Sequence, residues 1–127
     1  MVNLARVQVF LASGVNPNAQ NGDGYTPLMW AAGGGREEVV ALLLGQPAIN
    51  LEARDQEGRT ALLLAAEEGH QGVVEQLLAG GANPAVMDTE GRTLLWWAQE
   101  YGWVDIAAQL FVFPGPVPFS LDSSDSD

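Results

Sequence analysis

The repeating unit of this chain is clearest in residues 58–78, which read GRTALLLAAEEGHQGVVEQLL. The same phrase occurs one unit earlier, at 24–44, as GYTPLMWAAGGGREEVVALLL, and one unit later, at 91–111, as GRTLLWWAQEYGWVDIAAQLF. Three matches in register indicate a repeat array, in which each unit buries its apolar face against its neighbours.

The residue pattern of each unit predicts two short helices joined by a turn. Thr26 and Thr60 stand where a threonine can cap the free backbone amides of the first helix. The second helix of the central unit is predicted at Gln71–Ala79, because its valines and leucines share one helical face. A glycine that tolerates positive φ ends each first helix and lets the chain reverse; these are Gly35, Gly69 and Gly102.

With its ~33-residue period and its TPLMWAA phrase at residues 26–32, the chain resembles the ankyrin repeat family. The resemblance covers residues 1–111 and implies an all-α solenoid of helix-turn-helix units with protruding loops. It divides the chain into a half repeat at 1–20, repeats at 21–54 and 55–87, a degenerate third repeat at 88–111, and a proline-rich, then acidic tail at 112–127.

The chain departs from the family phrase at the histidine that usually follows its leucine. An apolar column is predicted there instead, formed by Met29, Leu63 and Trp96. A second apolar column is predicted one residue later, formed by Trp30, Leu64 and Trp97. The third repeat also lacks the second alanine of the phrase, which is typical of a terminal repeat with one face toward water.

The two ends of the array carry their own predictions. Residues 2–11 are expected to form the second helix of the half repeat. Residues 111–119 alternate prolines with other residues, which excludes a helix, and we expect them to fold back on the last repeat. Residues 120–127 are acidic and of low complexity, and we expect them to be mobile.

Composition and charge exclude several classes of partner. The 127 residues include five Arg, no Lys and no Cys against sixteen Asp and Glu, for a net charge of −11. Nucleic acid and anionic membrane would be repelled by this field, and disulfide or thiolate chemistry is excluded. No apolar run could span a membrane, and residues 1–11 lack signal-peptide features, so we expect a cytoplasmic or nuclear protein.

The residue patterns predict no catalytic residue, metal site or cofactor. His70 is the single histidine, and we interpret it as a structural residue that holds the loop between helices. Glu67 and Glu68 are neighbours on a helix and point in different directions, which makes them a poor acid–base pair. Residues 33–35 are three glycines without the Lys-Ser/Thr of a phosphate loop, and we interpret them as an inter-helix turn.

The resemblance implies a concave face, formed by loop tips and first-helix ends, that binds a protein or peptide. Its expected anchors are Tyr25, Arg59, Arg92 and Tyr101. The other candidate residues on this face are Asp23, Glu57, Glu67, Glu68, Met87 and Glu90. Because both charge signs occur there, an extended partner of mixed charge is favoured, bound to a monomer or to a weakly self-associating chain.

Two other functions remain open from the sequence. Aromatic side chains are concentrated in the last repeat, where we interpret them as closing the core; they are Trp96, Trp97, Tyr101 and Trp103. A pocket at this aromatic end would instead suit a small cofactor-free enzyme or a ligand binder, although an enzyme is the less favoured interpretation. An incomplete array is also compatible with a self-associating fragment of a longer array.

Overall fold

The computed structural model describes residues 16–111, which contain six α-helices and no strand. The helices are α1 (Pro27–Gly33), α2 (Glu37–Leu44), α3 (Ala61–Glu67), α4 (Gln71–Ala79), α5 (Leu94–Tyr101) and α6 (Val104–Phe111). The predicted all-α solenoid is confirmed, and α4 has the predicted bounds. The helix expected at 2–11 and the tail expected at 112–127 lie outside the described residues.

Each first helix begins after a threonine that caps it, as predicted. The Oγ1 of Thr60 accepts a hydrogen bond from the backbone N–H of Leu63 at 3.3 Å. Thr26 and Thr93 accept the same bond from the residue three positions on, each at 3.2 Å. This bond satisfies an amide that the helix itself leaves free, so all three helices start in the same register.

The turn between the two helices of a repeat depends on glycine. Gly35 has a φ of +70°, and a Cβ atom there would lie 2.8 Å from the ring of His70 in the next repeat. With no Cβ in the way, the Nε2 of His70 reaches the carbonyl oxygen of Gly33 and donates a hydrogen bond at 3.1 Å. The predicted structural role of His70 is thus confirmed, because it holds the turn of the preceding repeat.

The helices stack in two rows along the solenoid. The first helices α1, α3 and α5 pack in succession, and α2 packs against α4 behind them. Paired small residues such as Ala65 and Ala66, both fully buried, let neighbouring helices approach closely. The buried centre of the stack includes Leu28, Val40, Leu62, Val74, Leu77 and Leu94. No helix within residues 16–111 has the length and apolar content to cross a membrane.

The two predicted apolar columns open to solvent at opposite ends of the stack. Met29 and Leu63 are buried, whereas Trp96, in the last repeat, is 40% exposed. In the other column Leu64 is buried beneath α1, whereas Trp30 in the first repeat is 50% exposed. The column of Met29, Leu63 and Trp96 therefore faces the following repeat. The column of Trp30, Leu64 and Trp97 faces the preceding repeat.

Candidate protein-binding surface

The protruding loops of the second and third repeats are built around a buried aspartate. Asp55 Oδ1 accepts hydrogen bonds from the backbone N–H groups of Glu57 and Arg59, each at 2.9 Å. Asp55 Oδ2 accepts a third bond from Arg59 Nε at 3.0 Å. Asp88 accepts the equivalent three bonds in the third repeat, at 2.8, 3.0 and 3.0 Å. One carboxylate thus closes the turn and fixes the arginine.

The loop of the first repeat has the same shape but is neutral at its centre. Asn21 Oδ1 accepts hydrogen bonds from the backbone N–H groups of Asp23 and Tyr25 at 2.9 and 3.0 Å. Tyr25 stands at the position that arginine occupies in the next two repeats, so the first loop has no internal ion pair at that position. The sequence interpretation missed this set of turn residues, although positions 21, 55 and 88 recur at the repeat period.

Arg59, one of the predicted anchors, is used within its own repeat. Its Nη1 lies 3.1 Å from Glu67 Oε1 and its Nη2 lies 3.0 Å from Asp55 Oδ2. Burial opposes the charged form, but hydrogen bonds to Glu67 and Asp55 outweigh it and raise the pKa of Arg59 above its ordinary value. Only 17% of the side chain is exposed. The Arg59–Glu67 contact joins the loop to the end of α3, so these two parts of the predicted face lie on one side of the repeat.

Arg92 has a comparable position in the third repeat. It pairs with Asp88 at 3.0 Å, and its guanidinium carbon lies 5.3 Å from the ring centroid of Trp97. This distance is within the range of a cation–π contact. Burial alone would raise the pKa of Asp88, but the backbone N–H groups of Arg92 and Glu90 and the Arg92 side chain outweigh it, and the pKa lies below its ordinary value.

Tyr101, another predicted anchor, joins the second and third repeats. Its hydroxyl donates a hydrogen bond to the carbonyl oxygen of Glu67 at 2.7 Å, and its ring packs on the backbone of Gly69. His70 makes the equivalent contact between the first two repeats. In the third repeat, however, the residue that aligns with His70 is Trp103 and not Tyr101. Trp103 stacks on Tyr101 with ring centroids 5.0 Å apart and supports it from behind.

The aromatic residues of the last repeat pack on one another. Trp97 and Trp103 are half-buried against the core, as the core-closing interpretation predicted, whereas Trp96 and Tyr101 of the same group are 40% and 46% exposed. Trp96 meets Trp97 edge to face at 4.7 Å, and Trp97 stacks on Tyr101 at 6.0 Å. None of the three clefts described within residues 16–111 is lined by these rings.

Tyr101→Phe separates the structural role of the hydroxyl from any role of the ring in binding. We expect this change to lower the free energy of unfolding by about 1 kcal/mol, because it removes one hydrogen bond between repeats and keeps the ring. Urea denaturation monitored by circular dichroism measures this loss. Tyr25→Phe is the matched control and should change stability little, because no hydrogen bond of the Tyr25 hydroxyl is found within residues 16–111. Equal losses in both variants would contradict the assigned role of the Tyr101 hydroxyl.

The remaining predicted residues are mostly exposed on the loops and helix ends. Met87 is 55% exposed, and the side chains of Glu57 and Glu90 are 66% and 72% exposed. Two further residues are also exposed, Asp23 and Glu68. The half-buried residues of the predicted set are Tyr25, Arg59, Glu67 and Arg92.

Backbone hydrogen bonds hold neighbouring loops side by side. The N–H of Gln56 donates to the carbonyl oxygen of Asp23 at 3.3 Å, and the N–H of Thr89 donates to that of Glu57 at 3.0 Å. A cleft of about 320 Å³ lies between the first two loops, lined among others by Asn21, Asp23, Tyr25, Asp55, Glu57 and Arg59. The three loops thus lie side by side, and the cleft between the first two brings Asp23, Tyr25, Glu57 and Arg59 together.

Stacked helical hairpins with hydrogen-bonded loops define a helical-repeat solenoid. A family model described as ankyrin repeats (three copies) matches residues 2–88, more than half of the chain. The chain belongs to the ankyrin repeat family, whose repeats are generally protein–protein interaction modules. The third hairpin, α5–α6, extends beyond the matched residues and keeps the same threonine cap and buried loop aspartate.

One similar curated protein is the neurogenic locus notch homolog protein 1 of Danio rerio. It is 35% identical to this chain over 100 residues, which is 79% of this chain and 4% of that protein. The chain thus spans only a small part of the length of the relative that it matches.

Proposed function

We propose that this chain is a non-catalytic module that binds a protein or peptide across the concave face of its loops and first-helix ends. The observation that carries the proposal is the exposure of the large apolar side chains Met87 and Tyr101, 55% and 46%, beside exposed carboxylates on fixed loops. Exposed apolar and aromatic side chains with a polar surround are typical of interaction sites.

The candidate residues divide into two groups by their contacts. Met87, Tyr25 and Tyr101 offer apolar or aromatic surface, the kind that dominates binding energy at the centre of an interface. Arg59 and Arg92 hold the loops through Asp55 and Asp88, so in this proposal they mainly position the surface. Exposed carboxylates then set the charge that a partner meets, and this favours a partner with basic groups.

Truncation of an exposed candidate residue tests the proposed face. We expect Met87→Ala to weaken binding of the natural partner about tenfold, because truncating an important interface side chain costs more than about 1 kcal/mol and each ~1.4 kcal/mol is tenfold in affinity. The partner is identified by photo-crosslinking, and its affinity for each purified variant is then measured by surface plasmon resonance.

Val104→Ala is the matched control for this test. Val104 is 74% exposed at the start of α6 and is not one of the candidate residues of the face, so its truncation should leave the affinity unchanged. If the two variants bind equally well, or if only Val104→Ala binds weakly, the loop face is not the binding site.

A further inference from the structure

The loop of the first repeat contains an Asn-Gly pair, Asn21 and Gly22, at the place where the next two repeats have an aspartate. Both residues are exposed. We propose that this pair is a site of spontaneous covalent modification in the folded chain, at which Asn21 loses its side-chain amide as ammonia and becomes aspartate or isoaspartate. The reaction needs only water, and it does not depend on the proposed function because no partner takes part in it.

The chemistry is an attack by a backbone nitrogen on the side chain that precedes it. The nitrogen of Gly22, once its proton has passed to solvent hydroxide, forms a bond to the Cγ of Asn21. The Cγ–Nδ2 bond then breaks, the leaving nitrogen takes up a proton from water, and ammonia departs from a five-membered succinimide ring. Water opens this ring at either carbonyl. Cleavage of the new bond gives aspartate, and cleavage of the original peptide bond gives isoaspartate.

Two backbone donors already point at the oxygen that becomes negative during this attack. When the nitrogen adds to Cγ, the charge develops on Asn21 Oδ1, which accepts the N–H groups of Asp23 and Tyr25 at 2.9 and 3.0 Å. Donors that are held in place around a developing oxyanion lower the barrier to such an addition. The same bonds bend the side chain toward the residues that follow it, which is the direction of the attacking nitrogen.

The residue that supplies the nitrogen offers little hindrance. Gly22 has no side chain, and even a Cβ atom there would have no neighbour within 4 Å. Glycine also leaves the backbone free to rotate toward the preceding side chain. Among the described residues no acceptor is found for the Gly22 N–H and no partner for the Asn21 Nδ2. No such bond therefore has to break before the nitrogen attacks or the amide leaves.

Three other asparagines make a similar turn but are not followed by glycine. Asn16, Asn50 and Asn83 each accept a single N–H, from the residue two positions on, at 2.9 Å. Proline follows Asn16 and Asn83, and its nitrogen has no proton to lose. Asn50 is exposed, as Asn21 is, but it is followed by Leu51, whose side chain packs against the core. Asn50 is thus the best comparison within the chain.

The aspartate product gives the first loop the carboxylate that the next two loops already have. Asp55 and Asp88 accept the equivalent pair of backbone N–H groups, so an aspartate at position 21 can keep the turn. Its charge lies in the cleft that Asp23 and Glu57 also line, where Tyr25 replaces the arginine of the other loops. The modification therefore adds one negative charge to the candidate face.

Incubation of the folded chain in mildly alkaline buffer tests the site. Samples are digested with pepsin in acid, which stops the reaction, and the peptides are mapped by mass spectrometry with fragmentation that distinguishes isoaspartate from aspartate. We expect position 21 to react at least about tenfold faster than Asn50, because only position 21 combines a glycine nitrogen with two donors to the oxyanion. Equal rates, or a product without isoaspartate, would overturn the proposal.

Gly22→Ala tests the attacking nitrogen. The added methyl group has no neighbour to displace, so the fold should be kept, and circular dichroism checks this. We expect the rate at Asn21 to fall at least about fivefold, because a side chain hinders the nitrogen and restricts the backbone. Gly45→Ala is the matched control, since Gly45 has a φ of −77° at the end of α2, and it should leave the rate unchanged. An unchanged rate in Gly22→Ala would contradict the attack by this nitrogen.

A parallel incubation in guanidinium chloride separates the folded loop from the Asn-Gly pair alone. The two N–H donors to Asn21 Oδ1 are in place only in the folded chain. We expect the reaction to proceed in buffer, where the chain is folded, and to yield both products there. If Asn21 reacts in denaturant and stays intact in buffer, the loop protects the amide and the proposal is wrong.

Discussion

Leu77→Ala is expected to lower the free energy of unfolding by about 2–5 kcal/mol. The side chain of Leu77 lies on α4, is fully buried, and belongs to the core shared by α1 to α6. Removing three carbons there loses the transfer free energy of the side chain and leaves a cavity, because α4 is held against α2 and α3 on two sides. Each repeat is stabilised mainly through its neighbours, so the loss affects the whole stack.

Urea denaturation followed by far-ultraviolet circular dichroism measures this effect. Val104→Ala serves again as the control, because a side chain that is 74% exposed should contribute less than about 0.5 kcal/mol. A loss below half a kcal/mol for Leu77→Ala would mean that the second helix of the central repeat is not packed as described.

The architecture could be predicted from the sequence because each local signal supports the same element. Thr60 marks the start of α3, Gly69 marks the turn, and the apolar spacing that follows gives α4 its bounds, Gln71–Ala79. The same signals return at the repeat period, so an error in one unit would have been exposed by the others. Short-range signals of this kind depend only on backbone geometry and on which helical face is apolar.

The charge pattern of the candidate surface could be predicted only in part. The sequence indicated Arg59 and Arg92 as binding anchors, because nothing in the residue order says where a long side chain turns. In the structure the buried carboxylates of Asp55 and Asp88 hold them. The recurrence of an acidic or amide residue at 21, 55 and 88 was a readable signal, but its meaning depends on the shape of the turn.

The hydrogen bond of Tyr101 to the preceding repeat could not be predicted by aligning the repeats. Aligning the repeats places Trp103 opposite His70, and indole has only one donor and a different reach from imidazole. The hydrogen bond to the preceding repeat is supplied instead by a hydroxyl two residues earlier, at 2.7 Å from the carbonyl oxygen of Glu67. Alignment identifies equivalent backbone positions, whereas the side chain that makes a contact depends on its length and direction.

Asp88→Ala is expected to lower the free energy of unfolding by about 2–3 kcal/mol at pH 7. The buried carboxylate accepts two backbone N–H groups and the Nε of Arg92, and alanine leaves all three without that acceptor. A charged donor that loses its buried partner is costly, which places the effect above that of a single neutral hydrogen bond.

Asp88→Asn is the matched variant, because Asn21 already performs the same backbone function in the first repeat. The amide oxygen should keep both backbone bonds and lose the ion pair with Arg92, so we expect about half of the loss caused by alanine. If asparagine and alanine prove equally destabilising, the backbone bonds of this turn contribute nothing measurable.

Acid should remove the stability advantage of the natural chain over its Asp88→Asn variant. The pKa of Asp88 is lower in the folded chain than its ordinary value, despite burial, because backbone and Arg92 donors favour the carboxylate. Stability from such a group is complete above its unfolded pKa, near 4, and is lost as the pH falls through the folded pKa. Urea denaturation of both proteins from pH 7 to pH 2 should therefore show a gap that is constant down to about pH 5 and closes below pH 4. A gap that stays constant throughout would mean that the charge of Asp88 does not stabilise the fold.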